Sequence, residues 1–214
     1  MIRLNNVTHQ YVGMKEPIVR VDTLSLKKGE RVALLGPSGS GKSTLLHMIS
    51  GIFLPTTGEV TVDGYHFRQM KESERDAFRA QSVGYIFQDF HLVPSLTAKE
   101  NIELVGTSPR LSEWFQRVGL EGKEQRYPHE LSRGEAQRVA MIRAFIHEPS
   151  LVLADEPTGS LDRKTGENMM HLLHELTKEE KVTFLCVTHD ESFAETFPRL
   201  LQMTPHEKGG MTVQ

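Results

Sequence analysis

The chain has 214 residues, with 25 Lys and Arg against 28 Asp and Glu for a formal net charge of -3, a balance that offers no broad basic field for nucleic acid and no cationic tail for an anionic membrane. Its one cysteine, Cys186, excludes an internal disulfide framework and fits a reducing compartment. The length is a little above the usual ~100–200 residues per domain, so a single domain with an inserted subdomain is expected; about 70% of the unfolded surface is buried at this size, so neither disulfides nor a structural metal is needed, and no apolar run approaches the ~18 residues of a membrane span.

From the N-terminus, Met1-Ile2-Arg3-Leu4-Asn5 lacks the apolar stretch of a secretory signal, which sets a cytosolic expectation. Ile2 to Val12 and Val19 to Leu26 have strand-like composition, and Glu59-Val60-Thr61-Val62 ahead of Asp63-Gly64 resembles a hairpin strand. Together they predict an antiparallel edge region. Between them the apolar run Arg31-Val32-Ala33-Leu34-Leu35 reads as a strand stopped by glycines, and Leu45, Leu46 and Ile49 share one face of a helix from Lys42 to about Ser50, with Gly51 as its stop. From about Phe90 to Ile146 the apolar positions fall at helical spacing, as in Leu111, Trp114, Phe115 and Val118, which predicts a helical insertion. Parallel-sheet character returns in Leu151-Val152-Leu153-Ala154 and in Val182 to Val187, with Met169, Leu172, Leu173 and Leu176 on a helix between them. The polar, Gly-containing tail from Pro205 to Gln214 is expected to fray.

Gly36-Pro37-Ser38-Gly39-Ser40-Gly41-Lys42-Ser43 fits G-x-x-x-x-G-K-[ST] and lies between a predicted strand and a predicted helix. Small residues let successive main-chain N–H groups converge on polyphosphate, and the helix N-terminus adds donors and partial positive charge. In that pattern Lys42 reaches the β- and γ-phosphates and Ser43 ligates Mg²⁺. Asp155 and Glu156 end an apolar strand, where open α/β sheets bind ligands. They suit a Mg²⁺ ligand and a base for water respectively, although Asp-Glu-Pro alone is equally compatible with a capped turn. Ser132 and Glu135 form an S-x-x-E capping box for a helix whose Val139, Ile142 and Phe145 or Ile146 face inward. Its N-terminus, with the Ser132 hydroxyl and the Gly134 amide, is also suited to an anion.

The order and spacing of the phosphate loop, Leu131-Ser132-Arg133-Gly134-Glu135, Asp155-Glu156, Gly159-Ser160-Leu161-Asp162 and Thr188-His189-Asp190 resemble an ATP-binding-cassette ATPase from Leu4 to about Leu201. The resemblance implies an α/β P-loop NTPase with a parallel sheet flanked by helices, an N-terminal antiparallel β subdomain and an inserted α-helical subdomain. It divides the single domain 1–214 into a RecA-like core of 1–88 and 147–214 and a helical subdomain of 89–146. It implies ATP and Mg²⁺ as cofactors and a head-to-tail dimer in which each ATP lies between one subunit's phosphate loop and the other's signature turn. By resemblance, nucleotide falls to Tyr11 (stacked on adenine), Gly36, Pro37, Ser38, Gly39, Ser40, Gly41, Lys42, Ser43, Thr44, Ser132, Gly134, Glu135 and the interface-crossing Asp162. Metal falls to Ser43, Gln88 and Asp155, and catalysis to Glu156, His189, Lys42 and Gln88.

The signature departs from the usual Leu-Ser-Gly-Gly-[Gln/Glu] at Arg133, which is compatible either with crowding the nucleotide or with lending a cation to the partner's ATP. His171 and His174 lack the H-E-x-x-H spacing of a zinc enzyme and read as solvated helix positions. The segment Gln88 to Ile102 resembles the family's groove for a permease coupling helix, with ordinary internal packing as the other reading. The resemblance therefore implies a motor at the inner face of the cell membrane, most like the bacterial lipoprotein-release, macrolide-export and antimicrobial-peptide-export subgroup, with no nucleic acid partner. A soluble non-transport cassette and a regulatory nucleotide-binding module are the other readings.

Overall fold

The computed structural model describes residues 1–206 and 209–213. In chain order its elements are β1 (Ile2–His9), β2 (Val19–Leu26), β3 (Arg31–Leu35), α1 (Lys42–Ile49), β4 (Thr57–Val62), β5 (Tyr65–His66), α2 (Glu72–Ser82), β6 (Val83–Ile86), α3 (Ala98–Glu103), α4 (Leu111–Arg117), α5 (Arg133–Phe145), β7 (Leu151–Asp155), α6 (Arg163–Glu179), β8 (Thr183–Thr188), α7 (Glu191–Ala194), β9 (Arg199–Pro205) and β10 (Met211–Val213). The chain divides into two compact units, Met1–Arg79 with Thr183–Gln214, and Ala80–Val182.

In the first unit eight strands follow the order β5-β4-β1-β2-β10-β9-β3-β8. β1 pairs antiparallel with β2 and β4, and β4 closes a hairpin with β5 through Asp63-Gly64. β3 pairs in parallel with β8 on one side and β9 on the other. Ile2, Leu4 and Val7 of β1 are all buried although their spacing breaks the two-residue alternation. Asn6, at φ 50, takes up the extra residue where the register against β4 shifts, so the bulge turns Val7 inward. Every residue of β8 is buried, as expected of a parallel strand covered on both faces.

In the second unit β6 and β7 pair in parallel from Val83 opposite Leu151 to Ile86 opposite Ala154. Trp114, Phe115 and Val118 from the α4 region and Val139, Ala140, Ile142 and Phe145 of α5 are buried. The Trp114 and Phe145 rings lie 5.7 Å apart. Arg117 covers Trp114 at 4.4 Å and pairs with Glu180 at 2.6 Å, tying α4 to the end of α6.

The parallel and antiparallel parts follow the sequence reading, with four differences. β1 stops at His9 rather than Val12, because Met14 N–H donates to the Tyr11 carbonyl and closes a turn. The tail does not fray where it is described: β10 pairs with β9 and β2, and His206 N–H donates to the Gly210 carbonyl. Main-chain pairing holds this segment, which composition does not disclose; Glu207, Lys208 and Gln214 lie outside the described residues. α2 and β6 escape a hydropathy reading because α2 buries only Phe78 and β6 is four residues long. His174 is half-buried rather than solvated, whereas His171 is exposed.

At Gly84 of β6 an added Cβ would collide with the Ala144 carbonyl of α5, so the missing side chain sets how closely that helix approaches the strand. Gly84→Ala is expected to lower unfolding free energy by about 1–3 kcal/mol through overpacking; a denaturant midpoint equal to that of the wild type would refute this.

Candidate functional site

In the first unit, β3 ends at Leu35 and the chain turns through Gly36–Gly41 into α1. Gly36 N–H donates to the Thr188 carbonyl at the end of β8 (3.3 Å), and Ser40 N–H to the Pro37 carbonyl (3.2 Å). Gly41 occupies the N-cap at φ 91, where an added Cβ would lie 2.6 Å from Val19 Cγ2. Both the left-handed backbone and the close approach require glycine there. Gly41 brings no side-chain cap to α1 and the first turn has no acidic residue, so its N-terminal donors and dipole suit an anionic ligand.

Lys42 is buried, and its Nζ donates to the carbonyls of Gly36 (2.8 Å) and Pro37 (3.0 Å), placing an ammonium inside the curl of the loop. Ser43 is exposed and Thr44 buried. The Thr44 Oγ1 shares a hydrogen bond of 2.9 Å with Tyr11 Oη, so Tyr11 is fixed beside the start of α1. His9 meets the Tyr11 ring edge-on at 4.9 Å and stacks on Phe53 at 5.7 Å. His189, exposed just after β8, lines a cavity of about 380 Å³ with Gly36, Pro37, Glu191 and Gln202. Tyr11, the loop and His189 thus belong to one unit.

The second unit gathers the rest. Asp155 and Glu156 are half-buried at the end of β7. Glu156 has φ 48, a left-handed conformation costing a non-glycine residue roughly 1–3 kcal/mol and concentrated at functional sites. Its carbonyl accepts from Gly159 N–H at 3.0 Å. A Cβ on Gly159 would lie 3.2 Å from Gln88 Nε2, so the bare glycine admits the Gln88 amide to the turn that follows Glu156. Asp162 is the N-cap of α6, accepting from Thr165 N–H (3.1 Å) and Thr165 Oγ1 (2.6 Å), bonds that hold its carboxyl below the usual range.

The Ser132 capping box forms with both arms: Glu135 N–H donates to Ser132 Oγ at 3.3 Å, and Ser132 N–H to Glu135 Oε2 at 2.9 Å. Arg133 turns to its own chain and donates to the Ser160 carbonyl at 3.2 Å. In the Gln88 to Ile102 segment Ala98 and Ile102 are buried while Val93 is exposed. Sequence reasoning passed over three polar side chains that shape these loops. Asn101, fully buried, accepts from Val93 N–H and donates to the carbonyls of Val93, Leu96 and Thr97. Arg143 donates to the carbonyls of Phe90 and His91, and Gln137 to those of Phe87 and Pro157. The available signal was a polar residue at an inward helical position, as at Gln137 between Ala136 and Val139.

A strand, an anion-binding loop with an inward lysine and an uncapped helix together define a P-loop nucleotide-binding protein. Residues 19–159 match the family described as ABC transporter. The ABC transporter ATP-binding protein YtrE of Bacillus subtilis is 40% identical, with all of both chains covered. The lipoprotein-releasing system ATP-binding protein LolD of Myxococcus xanthus is 38% identical, with 97% of each covered. The ATP-binding cassette MJ0796, from Methanocaldococcus jannaschii, solved as a dimer in a post-hydrolysis state bound to ADP and Pi, superposes with a TM-score of 0.85 at 38% identity over 94% of each chain. The chain belongs to the ABC transporter family as an ATP-binding cassette, a P-loop ATPase.

The pairing of Glu135 with Lys123 and its bond from Ser132 N–H hold the Glu135 carboxyl at about 2, below the ordinary 4.5. A lowered folded-state value stabilises the fold fully above about 4.5, and that contribution is lost as the pH falls toward about 2. The unfolding free energy of the wild type relative to Glu135→Gln is therefore expected to shrink across that window. A difference that stays constant with pH, measured by denaturant titration, would contradict it.

Proposed function

We propose that this ATPase is the motor subunit of a bacterial membrane complex. ATP closes a head-to-tail dimer of the chain, hydrolysis reopens it, and the cycle drives a conformational change in a permease. The observation that carries the reading is the phosphate loop with Lys42 buried inside it, in a chain similar over its whole length to ATP-binding proteins of transporters. Residues 89–146 serve as the helical subdomain and 1–88 with 147–214 as the core. The exposed Val93 and its neighbours in the Gln88 to Ile102 segment meet the permease, which holds the motor at the inner face of the membrane. Among the described residues no helix is long and apolar enough to cross a membrane. Similarity to LolD supports placement in the lipoprotein-release and export subgroup.

In this reading the main chain of Gly36–Thr44 and Lys42 grip the phosphates, and Tyr11 stacks on adenine, a contact worth roughly 1–3 kcal/mol by analogy with base stacking. Ser132, Gly134, Glu135 and Asp162 serve the partner's nucleotide. Ser43, Gln88 and Asp155 would hold Mg²⁺, and their hydroxyl, amide and carboxylate oxygens are the hard donors that ion selects. Among the described residues no three His, Cys, Asp or Glu side chains form a metal cage, which suits an ion held largely by phosphates and water. When bound, Mg²⁺ neutralises charge developing on the phosphates. Glu156 orients the attacking water and takes its proton, worth about 10²–10⁴-fold for a positioned base, and His189 contacts the γ-phosphate.

Lys42→Ala is expected to abolish ATP binding by calorimetry; retained affinity would overturn the phosphate site. Glu156→Gln is expected to convert an ATP-hydrolysing monomer–dimer cycle into an ATP-trapped dimer by light scattering, whereas a binding module without turnover would be unaffected. A pull-down from solubilised membranes is expected to recover a permease and an ATPase rate raised by assembly; recovery of the chain alone would count against the membrane motor.

A further inference from the structure

We propose that Gln137 is a positioning residue for ATP hydrolysis, holding the main chain next to Gln88 and the main chain next to Glu156 in one fixed relation. The inference rests on the reading above in which those two side chains act on water and metal. Gln137 lies on α5 with no exposed surface, and its Nε2 donates to the Pro157 carbonyl at 2.8 Å and the Phe87 carbonyl at 3.3 Å. Phe87 immediately precedes Gln88, and Pro157 immediately follows Glu156. One nitrogen therefore spends both hydrogens on two segments far apart in sequence and adjacent to the two groups in question.

The other end of the amide shows that the residue is not there for packing alone. Gln137 Oε1 is buried and accepts no hydrogen bond from the described residues, and an orphaned acceptor is a cost that an aliphatic side chain at the same place would avoid. What the amide supplies instead is restraint where the backbone needs it. Glu156 sits at φ 48, a conformation that persists only when its surroundings over-determine it, and the bond to Pro157 fixes the next carbonyl along. The same helix face ties the same segments a second time. Arg133, one turn earlier, donates to the Ser160 carbonyl at 3.2 Å, and Ser160 Oγ reaches the Gln88 carbonyl at 3.5 Å.

The test is Gln137→Met in the full chain, a replacement close in length without the amide. Expected are a kcat lowered at least about tenfold, an ATP affinity by calorimetry within about twofold, and a modestly lowered melting temperature, since the Pro157 and Phe87 carbonyls lose their donor while the orphaned acceptor is removed. Amide hydrogen exchange should quicken at residues 87–89 and 157–160 and stay unchanged along α5. A kcat within about twofold of the wild type overturns the proposal, and so does a joint fall of kcat, affinity and melting temperature, which marks a packing residue. Should Gln137→Met not fold, Gln137→Glu decides: burial raises a carboxyl's pKa, and its protonated form regains one donor. Its kcat relative to the wild type should therefore climb as the pH is lowered, and a flat ratio overturns the proposal. Turnover surviving in Glu156→Gln would defeat the reading of Glu156, while the exchange result still reports whether the Gln137 restraint exists.

Discussion

The structure depends most on the way the start of α1 is left open. A helix whose first turn has no acidic residue and whose N-cap glycine offers no side-chain cap presents the positive end of its dipole, and its first residue adds the Lys42 ammonium, buried and bonded to two carbonyls of the preceding loop. An anion is the complement to that concentration of positive charge. Other features of the first unit follow from keeping this loop in place. The β8 carbonyl of Thr188 anchors Gly36, the side chain of Val19 leaves room only for a glycine at Gly41, and the Thr44 hydroxyl fixes Tyr11 beside the same helix.

The second unit meets a different requirement, the arrangement of irregular backbone around acidic and amide groups. Loops carry main-chain polar groups that must be satisfied when partly buried, and here α5 satisfies many of them from its side. Arg133, Gln137 and Arg143 donate to the carbonyls of Ser160, of Phe87 and Pro157, and of Phe90 and His91. Asn101 does the same for the turn from Val93 to Thr97. Burial of Arg143 pushes its guanidinium pKa down, a sign of how far the cation has been drawn from solvent to reach those carbonyls.

The legible part of the sequence was the part governed by local rules. Strand-like composition located β2, a short apolar run stopped by glycines located β3, the glycine stop ended α1, and S-x-x-E spacing announced a capping box that forms with both arms. Motif order made the family evident, and the match over residues 19–159 bears it out. What stayed hidden depends on partners distant in sequence. β10 is held by main-chain pairing to β2 and β9 although it follows a polar, Gly-containing stretch, and an inward helical position for Gln137 does not disclose which carbonyls it satisfies. The left-handed backbone of Glu156 is likewise silent in the sequence, because a residue type that tolerates φ > 0 poorly is held there by its surroundings.

Arg133 shows how a departure from a family pattern gains meaning from its neighbours. Sequence left two readings open, a side chain crowding the nucleotide or a cation lent across to a partner's ATP. In the structure the guanidinium is already engaged, donating to the Ser160 carbonyl in the turn between Gly159 and Asp162. That turn is closed by Leu161 N–H donating to the Thr158 carbonyl and ends at the Asp162 cap of α6. A glycine at 133 would leave the turn to hold itself; the arginine instead links it to the helix whose N-terminus carries the Ser132 hydroxyl. An exposed single bond of this kind contributes only about 0–1 kcal/mol, so beside the Gln137 bond to the Pro157 carbonyl it adds a second, weaker tie between that turn and α5.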